Sequence, residues 1–205
     1  MEIIKVREQS FDAQFFRSAL GELQNGGVIM HPTDTCYGLA VDIFNKKGLE
    51  KLYKMKEMSK TKPVTIIVDS LEMAQKYAFF GKKALALAKS FWPGAFTFVL
   101  PPHLDIFPNF FTFGFSSFQK NFRTIAIRMP HSEFSLQLIR FFGRPITSTS
   151  ANLSGQSSCY SVTDFQDQMK GRIILPDLIF DAGRLPYNLS SQIIEIYKNK
   201  THILR

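Results

Sequence analysis

One stretch, residues 28–40, most constrains how this chain can fold: Val-Ile-Met-His-Pro-Thr-Asp-Thr-Cys-Tyr-Gly-Leu-Ala. The apolar run that follows two glycines predicts a buried strand. Pro32 has no backbone N–H group, so it ends the hydrogen-bonded ladder. A polar turn of Thr33, Asp34 and Thr35 follows, and α/β proteins place ligands at strand ends that open into polar loops. The turn is either an ordinary connection or part of a site.

A second stretch, residues 145–155, repeats this pattern with Pro-Ile-Thr-Ser-Thr-Ser-Ala-Asn-Leu-Ser-Gly. Residues 145–150 predict a strand that ends in hydroxyl groups, an amide and a glycine. Such a sequence can form an anion-binding nest or a helix start. It is also compatible with an edge strand whose polar side chains face solvent. The recurrence of one pattern at two places favours a ligand site.

The remaining elements alternate between helices and strands at first, and strands dominate later. Helices are predicted to begin at Ser10, Asn45 and Ser70 and to cover residues 81–91, 132–142 and 164–169. Strands are predicted at residues 2–7, 64–68, 95–100, 124–129, 178–181, 192–197 and 202–205. This order predicts an α/β fold with a mixed sheet in a single domain, residues 1–205.

Charge is the informative part of the composition. The chain of 205 residues has a net charge of +8 and an isoelectric point near 9.5. Such a surface attracts nucleotides and RNA, although a solvated basic face gives the same number. No apolar run is long enough to span a membrane. The two cysteines show neither metal nor disulfide spacing, which indicates a cytoplasmic protein.

Residues 101–122 are irregular and rich in phenylalanine, with Phe107 the first of seven from there to Phe122. Phenylalanines in an irregular segment either pack into a local core or form an exposed patch. We favour a packed flap beside the cavity over a dimer contact. The expected oligomeric state is a monomer or a weak dimer.

The sequence lacks a Walker A motif, a glycine-rich dinucleotide turn, a clustered metal site and a serine-hydrolase context. It does contain hydroxyl groups at residues 148–155 and cations that could bind phosphate. These cations are Lys54, Lys56, Lys60, Lys62, Arg128 and Arg205. The lysines could equally form a solvated helix end, and Arg128 a structural ion pair.

Five ordered motifs resemble those of the YrdC-like threonylcarbamoyl-adenylate synthases. Residues 32–39 resemble P-T-D/E-T-x-Y-G-L, residues 92–97 resemble W-P-G-P-L-T, and residues 124–130 resemble T-V-A-V-R-x-P. Residues 148–155 resemble S-x-P-S-A-N-x-S-G, and residues 191–205 resemble S-T-I-V-D-h followed by I-L-R. The resemblance covers nearly the whole chain and implies a twisted mixed sheet around a large basic cavity.

The resemblance also implies a reaction. L-threonine and bicarbonate form a carbamate, which attacks the α-phosphorus of ATP and gives threonylcarbamoyl-AMP and pyrophosphate, helped by Mg²⁺. A partner complex then transfers the threonylcarbamoyl group to an adenosine of tRNA. Many relatives carry a further C-terminal domain, and the expectation here is the compact single-domain type.

Site residues are assigned by their positions in these motifs. The resemblance implies that Thr35, Arg128 and Ser148 bind threonine and that Lys56, Ser150 and Asn152 are catalytic. The residues expected to bind ATP are Lys56, Met58, Lys62, Thr124, Ser150, Asn152, Ser158, Ser191 and Arg205. No metal ligands are expected from the protein. Met58 departs from the pattern, because the family has an arginine there that contacts ATP, and Lys60 or Lys62 could supply the missing charge.

Three other interpretations remain open. A YciO-like protein also lacks that arginine and would be a nucleotide- or RNA-binding paralogue with weak or no synthase activity. An RNA-binding module would use the same basic cavity without catalysis. A hydrogenase-maturation carbamoyltransferase uses a similar domain within a much longer chain that has zinc-finger and acylphosphatase modules, which this sequence lacks. Retention of Ser150 and Asn152 favours the synthase.

Overall fold

The structure, a computed structural model, describes residues 1–6, 11–108, 123–198 and 200–205. Within these ranges the strands are β1 (Glu2–Lys5), β2 (Ile29–Pro32), β3 (Tyr37–Ala40), β4 (Thr65–Ile67), β5 (Phe96–Leu100), β6 (Ile125–Arg128), β7 (Ile146–Thr147), β8 (Thr149–Ser150), β9 (Leu178–Asp181), β10 (Gln192–Tyr197) and β11 (Lys200–Ile203). The helices are α1 (Arg17–Asn25), α2 (Lys46–Met55), α3 (Leu71–Tyr77), α4 (Lys82–Phe91), α5 (Glu133–Phe142) and α6 (Val162–Gln168).

The strands divide between two mixed sheets. The first has the order β1-β9-β2-β3-β8, and the second has the order β11-β10-β5-β6-β4-β7. In the first, β1, β9 and β2 are parallel, while β3 is antiparallel to both of its neighbours. In the second, only the pairs β10–β5 and β4–β6 are parallel among the described strands. The predicted α/β class with mixed strand directions is confirmed.

The two sheets share one hydrophobic core, and α1 and α5 cover the other face of the first sheet. Met30 and Leu39 of the first sheet belong to the same buried cluster as Ile66 and Ile127 of the second. Ile29, next to Met30, lies instead in the cluster with the helices. Successive strand residues point to opposite faces, so the first sheet is buried on both sides. Each such fully buried side chain contributes about 1.5–3 kcal/mol.

Helix starts follow the predicted capping residues where the structure describes them. Asn45, Ser70 and Ser132 each accept a hydrogen bond from the backbone N–H group three residues on, so these predictions are confirmed. The last helix begins earlier than predicted, because Ser161 caps it. Ser10 lies outside the described residues, and the described part of the first helix begins at Arg17.

The sequence prediction for residues 145–150 was wrong in one respect, because this segment is two short strands rather than one. β7 pairs with β4 in the second sheet, whereas β8 pairs with β3 in the first. Ser148, between them, donates its backbone N–H to Thr65 O at 2.9 Å. Thr147 Oγ1 accepts from Val41 N at 3.0 Å, which fastens the crossing point to the first sheet. The segment therefore carries the chain from one sheet to the other.

The opening stretch forms a hairpin of β2 and β3, in which Pro32 pairs with Tyr37 and His31 with Gly38. Phe107, the first phenylalanine of the irregular segment, is buried against Phe44 and Tyr77. The other six phenylalanines lie outside the described residues, so the flap stays a prediction. Among the described residues, the structure contains no helix that is both long and apolar enough to cross a membrane.

Candidate active site

A cavity of about 620 Å³ is lined by residues of both sheets. The β2–β3 hairpin and β8 contribute one side, and β4, β5, β6 and β10 contribute the other. Its described lining contains three cationic side chains, Lys62, Arg128 and Arg205, and no aspartate or glutamate. A cavity of this size with excess positive charge suits an anionic small molecule.

Arg128 ends β6 and is held by contacts on three sides. Its Nη2 donates to Asp34 Oδ1 at 2.6 Å, its Nη1 donates to Thr35 Oγ1 at 3.1 Å, and its Nε donates to Gly94 O at 3.0 Å. Arg128 is only 8% exposed. Burial lowers the pKa of Arg128, and the Asp34 carboxylate opposes that shift. Because the ion pair is fixed by neutral acceptors as well, the orientation of the fork is set before any ligand binds.

The turn at residues 33–36 fixes the partners of Arg128. Thr33 Oγ1 accepts from Thr35 N at 3.1 Å and donates to Cys36 O at 2.6 Å. Side-chain hydroxyl groups stabilise turns in this way. The backbone oxygen of Asp34 also accepts from Asn188 Nδ2 at 2.9 Å. The polar turn predicted after β2 therefore holds Thr35 and Asp34 against Arg128.

The loop at residues 150–156 has its own network. Ser150 Oγ donates to Asn152 Oδ1 at 2.5 Å, and Asn152 Nδ2 donates to Gln156 O at 2.5 Å. The backbone N–H of Ala151 donates to Tyr37 O at 2.8 Å, which joins the loop to the hairpin. Lys56 Nζ donates to the carbonyl oxygens of Ser150 and Asn152 from behind. Ser150 and Asn152 therefore line the cavity in a fixed arrangement.

The edge of the cavity near the end of the chain is formed by Ser191 and Arg205. Ser191 Oγ lies 2.9 Å from Thr97 Oγ1, and Ser191 O accepts from Arg205 Nη2 at 3.2 Å. The backbone N–H of Ile193 donates to Arg205 O at 3.0 Å. These contacts place an exposed guanidinium group at the cavity, where a bidentate contact with phosphate is possible.

Met58 and Lys62 form another part of the wall. Met58 is buried and presents a thioether to the cavity, which offers packing rather than charge. Lys62 is exposed, and its Nζ donates to Ser154 Oγ at 3.4 Å. Its backbone oxygen accepts from Tyr53 Oη at 2.6 Å. The backbone of Lys62 is thus anchored, while its exposed ammonium group makes a long hydrogen bond.

The thiol and imidazole groups near the cavity are poor nucleophiles and bases. Burial raises the pKa of the Cys36 thiol and raises that of Cys159 to about 12. Burial lowers the pKa of His31 to about 4, although a hydrogen bond with the Pro32 backbone opposes this. Thiols therefore stay protonated and the imidazole stays neutral near pH 7. The chemistry that this site supports is binding and charge stabilisation.

Comparison with known proteins identifies the family. The Sua5/YciO/YrdC family model, which carries the description "Telomere recombination", matches residues 22–205. The chain belongs to this family. It is 31% identical over 204 residues to the threonylcarbamoyl-AMP synthase of Pyrococcus abyssi, a match that covers 99% of this chain and 56% of the relative. It is 35% identical over 184 residues to that of Bacillus subtilis, which covers 89% of this chain and 50% of the relative.

Solved structures of Sua5/YciO/YrdC proteins have the same fold. The Pyrococcus abyssi Sua5 structure complexed with L-threonine matches with a TM-score of 0.86 and 30% identity, over 100% of this chain and 57% of that one. Escherichia coli YciO matches with a TM-score of 0.84 over 100% of this chain and 95% of that one, and at 24% identity it shows the fold alone. The chain spans about half the length of the Pyrococcus and Bacillus relatives.

The structure brings together most of the residues that the motifs of the Sua5/YciO/YrdC family indicated. The predicted residues that line the cavity are Thr35, Met58, Lys62, Arg128, Ser148, Ser150, Asn152, Ser158, Ser191 and Arg205. Lys56 and Thr124 are not in its described lining; both are buried, Lys56 behind the 150–152 loop and Thr124 next to β6. Sequence reasoning missed Asp34, the ion-pair partner of Arg128, although its position next to Thr35 was a usable signal.

Proposed function

We propose that this protein is an L-threonylcarbamoyladenylate synthase, which makes threonylcarbamoyl-AMP and pyrophosphate from L-threonine, bicarbonate and ATP. The observation that carries the proposal is the composition of one cavity. One part presents the oriented guanidinium of Arg128 beside the hydroxyl groups of Thr35 and Ser148. Another part presents the loop at residues 150–156, which contains the Asn152 amide, together with Lys62 and Arg205. The relatives named threonylcarbamoyl-AMP synthase, and the Pyrococcus protein complexed with L-threonine, support it.

The reaction needs no nucleophile from the protein. The threonine amine combines with bicarbonate to form the carbamate, and water is released. A carbamate oxygen then bonds to the α-phosphorus of ATP as the bond to the bridging oxygen breaks, and pyrophosphate leaves with the electron pair. The enzyme would act by holding the reactants in line and by stabilising charge on the phosphates. Such a nucleotidyl transfer agrees with the protonated thiols and neutral imidazole near the cavity.

Arg128 would bind the carboxylate of threonine. A guanidinium has five N–H groups, and the contacts described above use three of them. The fork therefore retains donors for a substrate, while Asp34 and Gly94 keep it aligned. Thr35 and Ser148 would contribute hydroxyl groups to the same ligand.

Mg²⁺ would enter as part of the substrate MgATP, held by phosphate oxygens and water, which is how Mg²⁺ commonly binds with nucleotides. Ser150, Asn152, Ser158 and Ser191 would then contact the nucleotide.

The product is a mixed anhydride of a carbamic acid and a phosphate, and it is suited to acyl transfer. We propose that it serves the N6-threonylcarbamoyladenosine modification of tRNA in the cytoplasm, through a separate transferase complex. The excess of positive charge on the chain, +8, is compatible with an RNA-containing partner.

A second candidate function is that of a YciO-like nucleotide- or RNA-binding protein with weak or no synthase activity. The observation that favours it is the thioether of Met58 in the cavity wall, where the family motif has an arginine. A binder would take up ATP without releasing pyrophosphate.

The test is release of pyrophosphate from ATP by the purified protein with threonine, bicarbonate and Mg²⁺. A synthase releases pyrophosphate only when both threonine and bicarbonate are present, so omission of each is the control. Binding of ATP without pyrophosphate in the complete mixture would favour the second candidate and contradict the first.

A further inference from the structure

Lys56 lies behind the wall of the cavity rather than in it. It follows the last residue of α2, is 3% exposed and is not among the described lining residues. Its side chain reaches the loop at residues 150–152, which is far away in the sequence. The question is whether its ammonium group contacts phosphate or acts through that loop.

The hydrogen bonds of Lys56 answer this question. Its Nζ donates to the carbonyl oxygens of Ser150 and Asn152, the latter at 2.8 Å, and to Asn152 Oδ1 at 3.1 Å. A lysine ammonium has three N–H groups, so these three oxygens use all of them. Contact with a phosphate would therefore require it to release a buried oxygen, and an unsatisfied buried acceptor is costly.

Lys56 is fastened to the loop through its backbone as well. Its carbonyl oxygen accepts from Ser154 N at 2.9 Å. Asn152 Oδ1, which one N–H of the ammonium reaches, also accepts from Ser150 Oγ at 2.5 Å. The ammonium thus joins three oxygens of the loop that converge on one point.

We propose that Lys56 is a positioning residue, whose buried ammonium holds the 150–152 loop in the shape that presents Ser150 and Asn152 to the nucleotide. The phosphate charge is met instead by Lys62 and Arg205, which do line the cavity. This inference rests on the proposed function, because it takes a nucleotide as the ligand. The motif implied that Lys56 contacts ATP directly. Here Lys56 instead positions Ser150 and Asn152, which make that contact.

The two roles predict different coupling between Lys56 and the loop. A cation that contacts phosphate itself contributes to ATP affinity whether or not the side chains of Ser150 and Asn152 are present. A cation that organises the loop acts only through those two side chains, so its loss adds little once they have been removed. Combining the variants therefore separates the two roles.

The experiment measures dissociation constants of adenosine, AMP, ADP and ATP by calorimetry for the full chain and its variants. Lys56→Met should weaken ATP by about tenfold or more in the wild-type background, and by less than about threefold when Ser150→Ala and Asn152→Ala are already present. Lys62→Met should weaken ATP by about tenfold in both backgrounds and leave adenosine unchanged. The control is Lys83→Met, which removes the same charge from an exposed position on α4 and should change none.

Lys56→Arg covers the case in which Lys56→Met does not fold. A guanidinium retains the charge but does not fit among three oxygens arranged for an ammonium, so ATP affinity should again fall. An equal loss of ATP affinity from Lys56→Met with and without the Ser150→Ala and Asn152→Ala changes, or full ATP affinity in Lys56→Arg, would overturn the inference. Failure of the wild-type protein to bind any of the four would instead contradict the proposed function.

Discussion

The two ends of the cavity differ in how firmly their charges are held. We call the end that we propose binds the threonine carboxylate, formed by Thr35, Arg128 and Ser148, the carboxylate end. Here Arg128 is 8% exposed and its guanidinium makes three short contacts. At the phosphate end, defined by Met58, Lys62 and Arg205, the Lys62 ammonium is exposed and reaches one hydroxyl group at 3.4 Å. The carboxylate end is arranged before a ligand arrives, whereas at the phosphate end the Lys62 ammonium must be ordered by the ligand.

This difference has an energetic consequence. Immobilising a long side chain on binding costs about 0.5–1.5 kcal/mol, and a guanidinium that is already fixed avoids that cost. A lysine also offers a point charge where an arginine would offer a two-pronged contact. We therefore expect specific recognition of threonine together with weak binding of ATP.

The largest effect is expected at the carboxylate end. Arg128→Gln should reduce threonine-dependent pyrophosphate release by at least about 100-fold, because it removes a charged contact worth about 1.5–3 kcal/mol and the alignment of Thr35. ATP affinity should fall much less, since Arg128 is not one of the residues that define the phosphate end. The measurement is steady-state kinetics against threonine concentration, with ATP affinity determined by calorimetry.

The control for this variant is Arg140→Gln, which removes an arginine that is largely exposed on α5. Removal of one member of a buried ion pair also leaves Asp34 unpaired, so melting of both variants is measured first. An unchanged dependence on threonine in folded Arg128→Gln would contradict the assignment of the carboxylate end.

Acid should weaken the structure beneath the carboxylate end. His31 pairs with Gly38, which lines the cavity, and burial lowers the pKa of His31 to about 4. Between pH 6.5 and 4 the unfolded chain binds a proton that the native imidazole does not, so the free energy of unfolding falls as pH decreases. The loss attributable to His31 should be about 3 kcal/mol.

Denaturant unfolding at several pH values between 7 and 4 tests this expectation, with His31→Phe as the variant. The phenyl ring keeps the stacked position beside Phe134 but cannot titrate. The wild-type curve should fall more steeply than the variant curve over this interval. Parallel curves of the free energy of unfolding against pH would show that protonation of His31 does not destabilise the protein.

A smaller effect is expected when the phosphate end is given an arginine. Met58→Arg should tighten ATP binding by about 1–3 kcal/mol, the range for hydrogen bonds to charged groups. Lys62→Ala should then reduce ATP affinity less in the Met58→Arg background than in wild type, because the arginine would also contact the phosphates. Met58→Leu is the control for packing. Equal ATP affinity of the wild type, Met58→Arg and Met58→Leu would show that position 58 does not face the phosphates.

The smallest effect concerns pH and Lys56. Burial, and to a lesser extent the charge of Lys62, lowers the pKa of Lys56 to about 8. As pH rises through this value the ammonium loses a proton and with it one of three N–H groups, so ATP affinity should fall by several-fold. In Lys62→Met the midpoint should lie at higher pH, because a like charge is gone. Calorimetric titration between pH 7 and 9.5 provides the measurement, and identical midpoints would contradict this account.

The sequence predicted local features well and long-range contacts poorly. Caps such as Asn45 and Ser132 depend on a side chain and a backbone group three residues apart, so their pattern is visible in the chain. The split of residues 145–150 between two sheets depends on partners in β3 and β4, which no local pattern reveals.

The site shows the same limit. Motif spacing found the chemical groups of the cavity, because hydroxyl groups, an amide and cations recur at strand ends. It could not show that Lys56 turns away from the cavity toward Ser150 and Asn152, or that Asp34 pairs with Arg128, since each contact joins residues more than ninety positions apart. Burial and competition between acceptors decide such roles.

The most direct test of the central claim, that one cavity joins a threonine carbamate to the α-phosphate of ATP, is isotope incorporation. The protein is incubated with carbon-13 bicarbonate, threonine and MgATP, and the nucleotide products are analysed by mass spectrometry. We expect an adenylate that contains threonine and the heavy carbon and that disappears when threonine is omitted. Products that contain only AMP or ADP, with no heavy carbon, would contradict it.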